Sequence, residues 1–122
     1  MPKIVITDYG FSTLAAGQLI IREAAGGLAA FQCRDVIAAA KDANALIVQW
    51  ASIMPKAIRN FPACRVIVRY GIGTDNLDLD AARNRGIIVC NVPDYCIDEV
   101  ADHAFTLAMF LSRQIPVIDQ LS

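Results

Sequence analysis

Three residues close together, Arg69, Gly71 and Gly73, are the ones best suited to chemistry in this sequence. They lie in the run Val66-Ile67-Val68-Arg69-Tyr70-Gly71-Ile72-Gly73-Thr74-Asp75-Asn76. Within residues 64–68 the run Val66-Ile67-Val68 is apolar and β-branched, the pattern of a strand covered on both faces. Arg69 is the first charge after that run and is expected where the strand emerges. Glycines two apart let backbone N–H groups turn outward and approach a ligand closely. A guanidinium beside such amides, at the carboxyl end of a parallel strand, is a seat for a carboxylate or a phosphate. The same spacing also suits a tight turn with a solvated arginine.

Composition narrows the partners. The 122 residues carry a net charge of −1 and no basic cluster, which disfavours nucleic acid. Hydrophobic residues make up 56%, against about 45–50% in an average soluble domain, which points to a large interface or a covering domain. No apolar run reaches the roughly 18 residues of a membrane span. Met1-Pro2-Lys3 leads straight into a strand, so no signal peptide is expected. The four cysteines, Cys33, Cys64, Cys90 and Cys96, form no Cys-x-x-Cys pair, and the first three lie in apolar strand-like runs. They read as reduced, buried thiols of a cytoplasmic protein. With one histidine and no ligand spacing, no metal site is expected.

The elements that must position Arg69 follow from periodicity and punctuation. Strands are expected at residues 3–7, 28–33, 45–49, 64–68 and 87–90. Between them come helices: one from an N-cap at Ser12 to Ala25, stopped by Gly26-Gly27; one over residues 35–43; a short one opened by Ser52 and Pro55; and one capped by Asp78 and ended at Gly86. Strands alternating with helices through short connections give an α/β fold, a parallel sheet with helices on both faces. Five strands favour the flavodoxin-like order. A long helix over residues 97–113 has Asp98 and Glu99 in its first turn, where the helix dipole favours them. Val100, Ala104, Leu107, Ala108 and Leu111 form its stripe, but Phe105, Met109 and Phe110 make it apolar nearly all round. Such a helix needs a second domain or subunit over it.

Several functions of this fold class fail on the residues. A phospho-receiver could use Asp8, but Gln49-Trp50 stands where the phosphorylated aspartate belongs, and Asn91-Val92-Pro93 offers no lysine. A flavin phosphate loop after the first strand would be small and hydroxyl-rich; Asp8-Tyr9-Gly10-Phe11-Ser12-Thr13 is bulky and acidic. A dinucleotide fingerprint needs a third glycine where Asn76 stands and an acid after the next strand, which ends in Cys90-Asn91.

Residues 66–76, then Gly86-Ile87-Ile88-Val89-Cys90-Asn91-Val92-Pro93, then Asp98-Glu99-Val100-Ala101-Asp102-His103-Ala104, together resemble the D-isomer-specific 2-hydroxyacid dehydrogenases. The phosphoglycerate dehydrogenase and C-terminal-binding-protein-like branches are the most similar. The resemblance implies a two-domain enzyme in which a substrate-binding domain faces a Rossmann NAD domain across a cleft. Residues 1–96 would be the substrate-binding domain, and 97–122 the helix that crosses to the NAD domain and contributes to a homodimer. Arg69, Tyr70 and Gly71 match the loop that holds the substrate carboxylate through the guanidinium and backbone amides. Ile72 and Val100 match positions that approach NAD. Gln49 stands where phosphoglycerate dehydrogenase has an arginine; an amide cannot replace that charge, which argues against a phosphorylated substrate. Trp50 beside it either narrows the cleft or simply packs.

The only histidine, His103, is tempting as a proton donor. It lies one turn into the helix, in a motif that is structural in the family, so a structural role is implied. The family's catalytic arginine, glutamate and histidine lie beyond the NAD fingerprint and have no counterpart here. The implied function is substrate binding within an NAD-dependent D-2-hydroxyacid dehydrogenase, with no catalysis by these 122 residues alone. The alternative is a stand-alone module that binds a small acid or another protein.

Overall fold

In the computed structural model, which describes residues 2–25, 27–30 and 35–115, short apolar runs and alanine-rich segments alternate as expected. The elements are β1 (Lys3–Ile6), α1 (Ala15–Ala25), β2 (Gly27–Ala30), α2 (Val36–Ala40), β3 (Ala45–Val48), α3 (Pro55–Arg59), β4 (Val66–Arg69), α4 (Leu79–Asn84), β5 (Ile88–Cys90) and α5 (Ile97–Ser112). The strands are all parallel in the order β2-β1-β3-β4-β5, the flavodoxin-like order. The expected residues 31–33 of the second strand, Cys33 among them, and the stop at Gly26 lie outside the described residues.

Caps set most helix starts. The Asp35 carboxylate accepts from the Ala38 amide at 3.1 Å and opens α2; Asp78 does the same for Ala81 at 2.7 Å and opens α4. Pro55 takes the first position of α3. The first helix starts later than Ser12 implies. Thr13 Oγ1 accepts from Ala15 at 3.1 Å, and the first helical turn closes from Gln18 to Leu14. Gly86 ends α4 at φ 67°, a left-handed cap where a Cβ is strained.

Right-handed crossovers put α1 on one face of the sheet and α2, α3 and α4 on the other. The second of these faces holds the main core: Val5, Leu46, Val48 and Ile67 from the strands meet Ala57, Ile58, Phe61, Leu77 and Ala82. The opposite face carries Ile4, Ile6, Ala45, Ile47, Val66, Val68, Ile88 and Cys90 in register. There α1 packs against β2 at one end, and Ile6 and Ile47 are buried. At the other end Ile88 is 65% exposed, and Cys90 is exposed too. The expectation that Cys90 is a buried thiol is therefore corrected: it sits on the uncovered face of an edge strand. Cys64 is buried, and burial pushes its thiol pKa up. No residue of α5 is buried. Among the described residues, no helix is long and apolar enough to cross a membrane.

Candidate functional site

In a parallel sheet every strand delivers its following loop to the same edge. Here that edge gathers the loops after β1, β3, β4 and β5, and with them most of the residues singled out in the sequence.

Arg69 is the last residue of β4, paired with Val48, rather than the first residue beyond the strand. The ladder runs one residue further than the apolar run because the Tyr70 amide still donates to Val48 at 2.7 Å. Its Nε is buried and has no hydrogen-bond partner. The guanidinium folds over Gly71, where any Cβ would overlap it, and Gly71 itself sits at φ 150°. Two independent constraints therefore demand glycine at this position.

The Gly71 amide is not free to meet a ligand. It turns back to donate to the Arg69 carbonyl at 2.9 Å, and the Tyr70 amide is taken up by Val48. Among the described residues, the N–H groups of Ile72 and Gly73 enter no hydrogen bond. The Gly71 carbonyl accepts from Val92 at 3.0 Å, and the Ile72 carbonyl from Asn91 Nδ2 at 2.7 Å. No peptide is cis among the described residues, and in a trans peptide N–H points opposite to C=O. Both free amides are therefore directed away from the β5 loop by bonds that hold their partner carbonyls toward it.

Asp8, weighed in the sequence only as a phospho-receiver acid, organises the neighbouring loop. Its carboxylate accepts from three successive amides after β3: Gln49 at 3.1 Å, Trp50, and Ala51 at 3.1 Å. The Thr7 hydroxyl adds a fourth bond at 2.7 Å. A carboxylate in a nest of consecutive N–H groups is a strong clamp. From the other side, Asn76 Nδ2 donates to the Ala51 carbonyl at 2.8 Å, and the Asn76 carbonyl accepts from Ile53 at 2.8 Å. Within this clamp Gln49 Oε1 accepts from Gly10 at 2.7 Å. The Trp50 ring lies directly on Gly10, where a Cβ would overlap it, and the side chain is still 62% exposed.

Tyr70 packs its ring edge-to-face on Phe11, with centroids 5.6 Å apart and an interplanar angle of 82°. Tyr95 stands nearby. A hydrogen bond with the Cys96 side chain raises its phenol above the usual range, and the charge of Arg69 pulls it the other way. Ile72 and Val100 are both exposed, and Val100 lies on the undocked α5, as does the exposed His103. No group of three or more His, Cys, Asp or Glu among the described residues could hold a metal ion.

The loop after β4 also fits a dinucleotide poorly. Asn76 ties it to the β3 loop, and α4 behind it has only 6 residues, so there is no long helix start for a pyrophosphate.

Comparison with known proteins accords with this geometry. D-3-phosphoglycerate dehydrogenase of Mycobacterium tuberculosis is 39% identical over 85 residues, covering 69% of this chain and 16% of the relative. Glyoxylate reductase of Pyrococcus furiosus is 37% identical over 76 residues, covering 62% of this chain and 23% of the relative. Among solved structures, NAD+-bound 3-phosphoglycerate dehydrogenase of Entamoeba histolytica superposes with a TM-score of 0.77 at 29% identity, over 89% of this chain and 38% of that one. The chain therefore spans well under half the length of these relatives. The sequence profile described as D-isomer specific 2-hydroxyacid dehydrogenase, catalytic domain, matches residues 6–114. A match of this extent makes the chain a member of the D-isomer specific 2-hydroxyacid dehydrogenase family, in the part described as its catalytic domain.

Proposed function

We propose that this chain is the substrate-binding domain of an NAD-dependent D-2-hydroxyacid dehydrogenase and that it seats the carboxylate of a small 2-hydroxy or 2-keto acid. The observation that carries the reading is Arg69 with an unpartnered, buried Nε, next to the free amides of Ile72 and Gly73. A guanidinium and two N–H groups bind a carboxylate through charge-assisted bonds without needing its proton. Held there, the acid's 2-carbon is fixed at the open edge of the sheet, which is the domain's contribution to orientation. In this reading residues 1–96 form the domain and α5 leads to an NAD-binding domain, with Ile72 and Val100 facing the cofactor. NAD, when bound in the full enzyme, accepts or supplies the hydride. The loop after β4 fits a dinucleotide poorly, so hydride transfer by these 122 residues alone is not expected. The uncovered α5 supports docking of that domain or of a second copy. Free thiols at Cys64, Cys90 and Cys96 support a cytoplasmic location.

Titration of the 122-residue chain with pyruvate, followed by amide chemical shifts, tests the seat. Ile72 and Gly73 are expected to shift most, and Arg69→Gln to weaken binding by about tenfold or more. Unchanged binding in Arg69→Gln, or measurable NADH oxidation by the chain, would overturn the reading.

A further inference from the structure

Three aromatic rings line one shallow pocket, open to solvent, beside Arg69, and the carboxylate seat gives them no task. Phe11 from the β1 loop, Tyr70 from the end of β4 and Tyr95 from the β5 loop line it together with Gly71 and Val92, around a volume of about 210 Å³. That volume is enough for a phenyl group or a branched aliphatic chain to lie against the rings. Arg69 marks one end, because its guanidinium lies on Gly71, a wall of the cavity. Among the described residues, no charged side chain lines the pocket itself. Phe11 and Tyr95 remain 49% and 61% exposed, so a ligand side chain would remove aromatic surface from water.

We infer that the site takes a 2-keto or 2-hydroxy acid with an aryl or branched apolar side chain, its carboxylate on Arg69 and its side chain among Phe11, Tyr70 and Tyr95. The inference rests on the carboxylate seat proposed above and adds the substrate class. A phosphorylated side chain fits badly. A phosphate placed against three rings would lose its hydration with no cation in the lining to compensate. Gln49, the position that could have supplied charge, is an amide whose oxygen is bonded to Gly10. A very small acid such as glyoxylate would leave the rings uncovered and gain nothing from them. The preference therefore departs from the substrates named for the mycobacterial and archaeal relatives.

Amide chemical-shift titrations of the 122-residue chain with phenylpyruvate, glyoxylate and 3-phosphoglycerate test this. Phenylpyruvate is expected to bind about 10- to 100-fold tighter than glyoxylate, the gain from burying one ring, and to shift Val92 and Tyr95 as well as Ile72 and Gly73. Phe11→Ala and Tyr95→Ala, both at exposed loop positions, are each expected to shrink that ratio. Equal affinity for the two acids, tightest binding of 3-phosphoglycerate, or a ratio untouched by both alanine variants would overturn the inference and leave the carboxylate seat standing. Failure of every acid to bind would overturn the seat as well.

Discussion

The carboxyl edge and the α5–β5 side of this molecule are equally rich in side chains with work to do, yet they are built in opposite ways. At the carboxyl edge, nearly every loop is held by a named bond to another loop: Asp8 to residues 49–51, Asn76 to Ala51, Asn91 to Ile72, Val92 to Gly71. On the other side, α5 runs for 16 residues without burying one of them, and β5 leaves Ile88 and Cys90 in solvent. A binding edge must be rigid before its ligand arrives, because ordering it during binding costs affinity. An apolar helix needs no such preparation, since its order can be completed by whatever packs over it. The contrast separates what this chain arranges for itself from what it leaves for a neighbour.

Removing the Asp8 clamp should break the contrast most. Asp8→Ala leaves three consecutive amides without their acceptor, and is expected to cost about 2–3 kcal/mol. Asp8→Asn keeps one acceptor oxygen and should cost about 1 kcal/mol. Urea unfolding followed through Trp50, whose own amide is one of the three, measures both. Loss below about 0.5 kcal/mol in Asp8→Ala, the range of ordinary surface changes, would mean that the edge is not held by this carboxylate.

Gly71→Ala comes next. It forces a Cβ into the Arg69 guanidinium at a backbone φ of 150°, and strain of this kind costs about 1–3 kcal/mol. Gly73→Ala is the matched control: a Cβ there meets only the Asp75 carboxylate, at 3.3 Å, so a change within about 0.5 kcal/mol is expected. Similar losses at both glycines would remove the special status of Gly71. The pair also tests the seat, because displacement of the guanidinium in Gly71→Ala should weaken acid binding while Gly73→Ala leaves Arg69 in place.

These two cases also show where sequence reasoning works and where it stops. Strand alternation, the cap at Asp78, Pro55 at a helix start and the glycine stop at Gly86 are local signals, and each lies where the sequence placed it. The strand order followed from their alternation. Asp8 could not be read this way, because its partners lie 41 to 43 residues on and meet it only once β1 and β3 are adjacent. Gly71 was recognisable as a special glycine, but not that its own amide turns back to the Arg69 carbonyl. Cys90 misled because an apolar alternating run looks the same in a central strand and an edge strand. Only the sheet order shows that no helix covers it. Tyr70, Phe11 and Tyr95 come from three separate loops, and nothing in their spacing announces a shared cavity.

The smallest expected change in stability is on α5, and it is the most informative about the other half of the contrast. Val100→Lys and Leu111→Lys together put two charges on a helix that is exposed along its whole length. Lysine is nearly as good a helix former as leucine, and no core is disturbed. Unfolding free energy should therefore stay within about 0.5 kcal/mol of the parent chain. Self-association should not stay the same. The parent exposes Val100, Phe105, Leu107, Phe110 and Leu111 on one helix, an apolar surface of the kind that marks an interaction site. Sedimentation at increasing concentration should show the parent associating and the double variant remaining monomeric. A loss above about 2 kcal/mol in the double variant would mean that α5 is packed against its own domain. A parent that stays monomeric would mean that this helix needs a partner other than its own copy.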